Sequence, residues 1–197
     1  MGVNKLSFLF LVSLSLVSCG KRDLKQELGL INDDSYIYVG SIQSYSSPKR
    51  EVLKSIYPFF VLDSYEKYER CIEEEYDHIK KEADAMNINQ QLFENYCLIF
   101  DIFYRGHPGD NQLPKDYTFL IGVKFDKNTI NGYYHFATPS SNTSVPTVVV
   151  WYSTFYFLKK AQIKNLNCSN AYFVQTGKYD DELNIDDLYS NKSIEWY

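Results

Sequence analysis

Positive charge is scarce in this sequence: 20 Lys and Arg face 25 Asp and Glu across 197 residues, for a net charge of −5. That balance excludes binding to nucleic acid or an anionic lipid surface through charge, because each needs a basic face. Histidine is also sparse, and His78, His107 and His135 stand too far apart to make a ligand pair. No H-E-x-x-H, G-x-G-x-x-G or P-loop occurs, so neither a metal nor a nucleotide cofactor is expected. The four cysteines, Cys19, Cys71, Cys97 and Cys168, are widely and irregularly spaced. They form neither a disulfide framework nor a structural zinc pattern. Only one long apolar run exists, Leu6 to Val17, and it is shorter than the roughly 20 residues that span hydrocarbon. Aromatic residues are what the chain has in excess, with 18 Tyr and 13 Phe, a composition that packs a core and does not stay disordered.

The apolar run suits the core of a secretory signal, which is about 7–15 residues long. It follows Lys5 and ends in Leu16-Val17-Ser18-Cys19. Two aliphatic residues, a small residue and then cysteine resemble the lipobox of bacterial lipoproteins, a likeness confined to residues 1–20. The resemblance implies cleavage between Ser18 and Cys19, with a diacylglycerol thioether on Cys19 Sγ and acylation of the new amino group. Each buried methylene adds about 0.8 kcal/mol of membrane affinity, so several chains on one residue anchor firmly. Gly20 stands where many such proteins retained at the inner membrane have aspartate, which leans towards the outer membrane.

Three segments follow: a signal over 1–18, a lipidated polar tether over 19–34 and a single domain over 35–197. A domain of that length can bury a real core. Within it the composition predicts a strand near Tyr36 to Ile42, then a brief helix capped by Ser47 before Pro48 and interrupted by Pro58. From Ser64 the apolar residues Tyr65, Tyr68, Ile72, Tyr76, Ile79, Ala83 and Met86 recur at intervals of three or four. This predicts one amphipathic helix of about twenty residues. Strands are expected at Tyr96 to Tyr104, at Tyr117 to Phe125, at Tyr133 to Ala137, at Thr147 to Leu158 and at Ala171 to Gln175. The turn before Tyr133 falls at Asp126 to Asn128 or at Asn131-Gly132. The first of these strands is apolar on both faces apart from Asp101. The fold class expected is α+β, a long amphipathic helix packed on a mostly antiparallel sheet of four to six strands. In element order alone this resembles the cystatin-like and NTF2-like folds.

Ser64-Tyr65-Glu66-Lys67 has the S-x-x-K spacing of a serine nucleophile and its lysine. The companion K-T-G is absent, so Ser64 reads better as a helix cap. The acidic group Asp180, Asp181, Glu182, Asp186 and Asp187 lacks calcium-loop spacing and reads as a solvated face. Aromatics crowd two strands, and alternation must turn some outward, where rings stack on sugars or anchor a protein. The binding surface expected on this reasoning comprises Tyr134, Trp151 and Tyr152, with His107 in the Gly/Pro-containing loop. The function expected is a membrane-anchored envelope lipoprotein with a non-catalytic domain that binds a protein or glycan partner. One alternative is an immunity or inhibitor lipoprotein neutralising a toxin or lysozyme, and another is a hydrolase without a recognisable motif.

Overall fold

The computed structural model describes residues 24–30, 36–44, 58–108, 118–136, 147–175 and 184–197. A helical turn, α1 (Leu24–Glu27), precedes β1 (Tyr36–Ser44) and β2 (Phe59–Leu62). A helical layer then comprises α2 (Tyr65–Arg70), a π-turn (Cys71–Glu75), a 3₁₀ turn (Asp77–Ile79), α3 (Lys80–Ala85) and a second 3₁₀ turn (Gln90–Glu94). Strands β3 (Tyr96–Pro108), β4 (Thr118–Asp126), β5 (Thr129–Phe136) and β6 (Thr147–Lys159) follow. The short α4 (Lys160–Ile163), β7 (Cys168–Gln175) and β8 (Asn184–Trp196) complete the described order.

The strands form one 8-stranded sheet in the order β1-β6-β3-β2-β8-β7-β5-β4. Its two ends return to each other, where the Tyr36 hydroxyl on β1 donates to the Ile121 carbonyl on β4 at 3.0 Å. The result is a nearly closed barrel, predominantly β, with only short helices. This corrects the expected α+β architecture on two counts: the sheet has eight strands, and no long helix lies on it. Most pairs are antiparallel, but β2–β8 and β5–β7 run parallel.

The break in the helix has a tertiary cause. The predicted stripe is real, since Tyr68, Ile72, Tyr76, Ile79 and Ala83 are all buried. Between Ser64 and Met86 there is no glycine or proline to interrupt it. Tyr76 instead leaves helical geometry at φ −125° and ψ 34°, and its ring packs edge-on against Phe100 at 4.8 Å and Phe60 at 6.0 Å. A wider π-turn and a tighter 3₁₀ turn on either side keep the apolar residues on a wall that a straight helix would leave. Ser64 caps α2 as expected, accepting from the Lys67 backbone N–H.

Two apolar clusters face opposite sides of the central strands. Inside the barrel lie Phe59 and Val61, Ile99 and Phe103, Tyr152 and Tyr156, with Tyr134 and Phe173 opposite. Outside, Phe60, Leu62, Leu98, Phe100, Phe155 and Phe157 pack beneath the helical layer. The period of two thus sorts neighbouring residues of β2, β3 and β6 into two cores. That is why these strands read as apolar throughout.

Part of the stretch read as tether is docked on the barrel. α1 runs out into a turn at Leu28 and Gly29, where a φ of +60° suits glycine after a helix, and Leu30 then reaches Gly122. A Cβ on Gly122 would lie 2.9 Å from Leu30 Cδ1 and 3.3 Å from the Tyr36 hydroxyl. Gly122→Val should therefore destabilise the domain by about 1–3 kcal/mol through overpacking. Urea unfolding of this variant, alone and combined with Leu30→Ala, checks the cause. The double variant should lose less than the two single losses added.

Candidate functional site

Alternation decides where the aromatics of β5 and β6 go. Tyr134 and Tyr152 point into the barrel and are fully buried, so a partner at the surface does not touch them. Trp151 points outward and is half buried, its ring 5.0 Å from that of Tyr104. His107 is placed on β3 opposite Val148 of β6. Ser18 and Cys19 lie outside the described residues, as does the predicted Ser47 cap. The residues expected to form one binding surface are thus divided between core and exterior. Tyr133 stacks on Tyr172 at 5.2 Å, away from the interior cluster.

The barrel interior holds a polar constellation. Asp101 on β3 and Lys192 on β8 are 2% and 5% exposed and form a direct ion pair. The second Asp101 oxygen accepts from the Tyr134 hydroxyl, while Lys192 Nζ also donates to the Ile102 carbonyl at 3.1 Å. The ammonium stands 5.9 Å from the Phe59 and Phe103 ring centres and 6.0 Å from that of Tyr189. Those distances suit cation–π attraction in a desolvated site. A bulge aims Lys192 inward. Lys192 stands three positions, rather than an even number, after Tyr189, which also packs on the interior cluster. Asn191 between them takes φ +56° and donates its N–H to Asn170 Oδ1 at 2.8 Å. Asn170 in turn donates to Asn131 Oδ1 at 2.7 Å. Bulges commonly re-aim a side chain in this way.

Burial pushes the Lys192 ammonium down, with Asp101 opposing it. Burial pushes the Tyr134 and Tyr156 phenols far up, and the Asp101 charge adds to both shifts. Both Asp101 oxygens are engaged and the Lys192 ammonium has two acceptors, so the cluster acts as an internal clasp between β3, β5 and β8. Phe103 fills the space beside it, against Tyr134 at 4.9 Å, Phe173 at 5.2 Å and Tyr152 at 5.4 Å. No comparison with known protein families, curated proteins or solved structures gave a match.

The outward face of the helical layer has a different chemistry. Between Asp63 and Glu94 the chain carries ten of its 25 carboxylates and only four of its 20 Lys and Arg. The rest of the chain is balanced to within one charge. Lys67 already pairs with Asp63 at 3.0 Å, and Lys80 with Glu73 at 3.2 Å and Asp84 at 3.5 Å. Glu66, Glu69, Glu82 and Glu94 have no ion-pair partner among the described residues. Between the start of α2 and the second 3₁₀ turn lies a groove of about 460 Å³, lined by Tyr65, Phe93, Glu66, Glu94 and Gln91 among others. The Tyr65 and Phe93 rings meet edge-to-face at 6.1 Å.

Among the described residues no group of three His, Cys, Asp or Glu is placed to hold a metal ion. Cys71 and Cys97 are buried thiols, and burial pushes both pKa values up. Cys168 is a third free thiol, 3.1 Å from the Thr129 hydroxyl. No described helix is long and apolar enough to cross a membrane. Two features escaped the sequence reading. Asp101 in an apolar strand is the signature of a buried charge needing a partner, but nothing around Lys192 marks it as that partner. The aromatic groove escaped because Tyr65 and Phe93 meet only through the fold.

Proposed function

We propose that this chain is a lipid-anchored protein of the bacterial cell envelope, held at the outer membrane through Cys19, whose domain acts by binding a partner. The observation that carries this reading is the sequence Leu16-Val17-Ser18-Cys19 at the end of a short apolar run. The ring-filled barrel supports binding on the outside of the domain, because Phe103, Tyr134, Tyr152, Tyr156 and Phe173 leave their part of the interior to side chains. A narrower version, an immunity or inhibitor lipoprotein that neutralises a basic toxin or lysozyme, is favoured by the gathering of the chain's acidity on one layer.

The intact mass of the protein extracted from bacterial membranes tests the anchor. The expected result is a chain beginning at Cys19 with added acyl mass, and loss of that mass together with membrane association in Cys19→Ala. A mass without acyl groups would overturn the proposal. For the narrower version, capture from envelope extracts should return one dominant basic protein.

A further inference from the structure

We infer that the groove between α2 and the second 3₁₀ turn is a socket for an arginine side chain of a cationic partner protein. The inference rests on the proposed role as a binding domain and adds where the partner docks and by what chemistry. Its basis is charge complementarity in a formed depression. Glu66 and Glu94 line it without ion-pair partners among the described residues, and Lys67 of α2 is engaged by Asp63. A planar guanidinium can stack on the partly exposed Tyr65 ring, which buried Phe93 supports from below, while its N–H groups reach carboxylates on the walls. An ammonium fits the same charge but not the same fork of donors. Around the groove, the surplus of carboxylates from Asp63 to Glu94 supplies a negative field over one side of the barrel. Such a field attracts a basic protein before contact and orients it towards this layer.

Two other depressions among the described residues fit this chemistry less well. The one between β1 and α3 is lined by Ser41, Ile42, Gln43, Glu82, Ala85 and Met86, with a single carboxylate and no aromatic ring. The one behind α2 shares Tyr65 but sets Asp84 as its only carboxylate.

Fluorescence anisotropy of labelled hexa-arginine on the full chain tests the socket, at an ionic strength of about 0.15 M where diffuse attraction is screened beyond about 8 Å. Glu66→Gln with Glu94→Gln should weaken binding by about tenfold or more, whereas Glu74→Gln with Glu82→Gln, an equal charge change elsewhere on the layer, should weaken it by less than about threefold. Tyr65→Leu leaves the charge alone and should weaken hexa-arginine more than hexa-lysine. Circular dichroism of each variant verifies that the domain stays folded. Equal losses in the two double variants would reduce the effect to general acidity and overturn the socket. Absence of binding by the parent chain, or displacement of the peptide by a neutral oligosaccharide, would also overturn it. Either failure with the acyl mass on Cys19 intact leaves the anchored binding protein standing. An unlipidated chain that still binds through Tyr65 and Glu66 would instead remove the anchor and keep the socket.

Discussion

Asp101→Ala should destabilise the domain by about 3–5 kcal/mol, because it leaves the Lys192 ammonium buried with no counter-charge. Lys192→Met should do comparable damage, stranding a carboxylate that keeps only the Tyr134 hydroxyl. Total stabilities of domains are about 5–15 kcal/mol, so either variant brings the fold near its limit. The double variant Asp101→Leu with Lys192→Met is the informative one. It removes both desolvation penalties and restores apolar packing beside Phe103, and buried pairs replaced in this way are often neutral or gain stability. Urea midpoints of the three variants decide the matter. If the double variant loses as much as the two single losses added, the pair is not a coupled clasp and the damage comes from packing alone.

The second large effect is alkaline collapse. Burial raises the pKa values of Tyr68, Tyr76, Tyr134 and Tyr156, and of the Cys71 thiol. In the unfolded chain phenols ionise near 10 and thiols near 8.5. A group held protonated by the fold costs nothing below its unfolded pKa, but above it the unfolded state gains by releasing the proton. Stability then falls by about 1.4 kcal/mol per group per pH unit. Four phenols together remove roughly 5 kcal/mol one unit above pH 10, and Cys71 starts earlier. Lys192 acts in the opposite sense, since its lowered pKa makes rising pH favourable through its own window. One amine against five acids leaves the acids dominant. Absorbance at the phenolate band should therefore rise in two phases, exposed tyrosines first. The second phase should coincide with loss of circular dichroism near pH 11. Buried phenols that ionise with the fold intact would contradict the packing described for Tyr134 and Tyr156.

Strands whose apolar residues are consecutive or alternate were legible in the sequence. β1, β3, β4, β6 and the latter part of β7 lie where the β-branched and aromatic residues place them. β5 begins earlier than expected, at Thr129, because the turn falls at Lys127 and Asn128 and leaves Asn131-Gly132 inside the strand. β2 was obscured by Pro58, which punctuates helix and strand alike. β8 was hidden by its polarity: Asp186, Asp187, Ser190, Asn191, Lys192 and Ser193 resemble a solvated loop, and only the barrel gives Lys192 a reason to turn inward. The break in the helical stripe at Tyr76 has no local signal either, since it answers to Phe60 and Phe100. At the candidate surface the sequence marks Tyr134, Trp151 and Tyr152 as strand residues but not which face each takes. A one-residue difference in register separates buried Tyr152 from half-exposed Trp151, and composition does not carry register.

The position of β8 in the sheet also governs when the domain can form. This stave pairs with β7 along its first part and with β2 at Ile194 to Trp196, and so joins the sheet's two halves. Among the described strands it is the last in chain order. A nascent chain lacking it has two separate sheet fragments and an interior without Lys192, so Asp101 has no ammonium to meet. Non-local closure of this kind is slow compared with local hairpin formation. A chain emerging amino terminus first would thus leave the barrel unclosed until β8 itself had emerged.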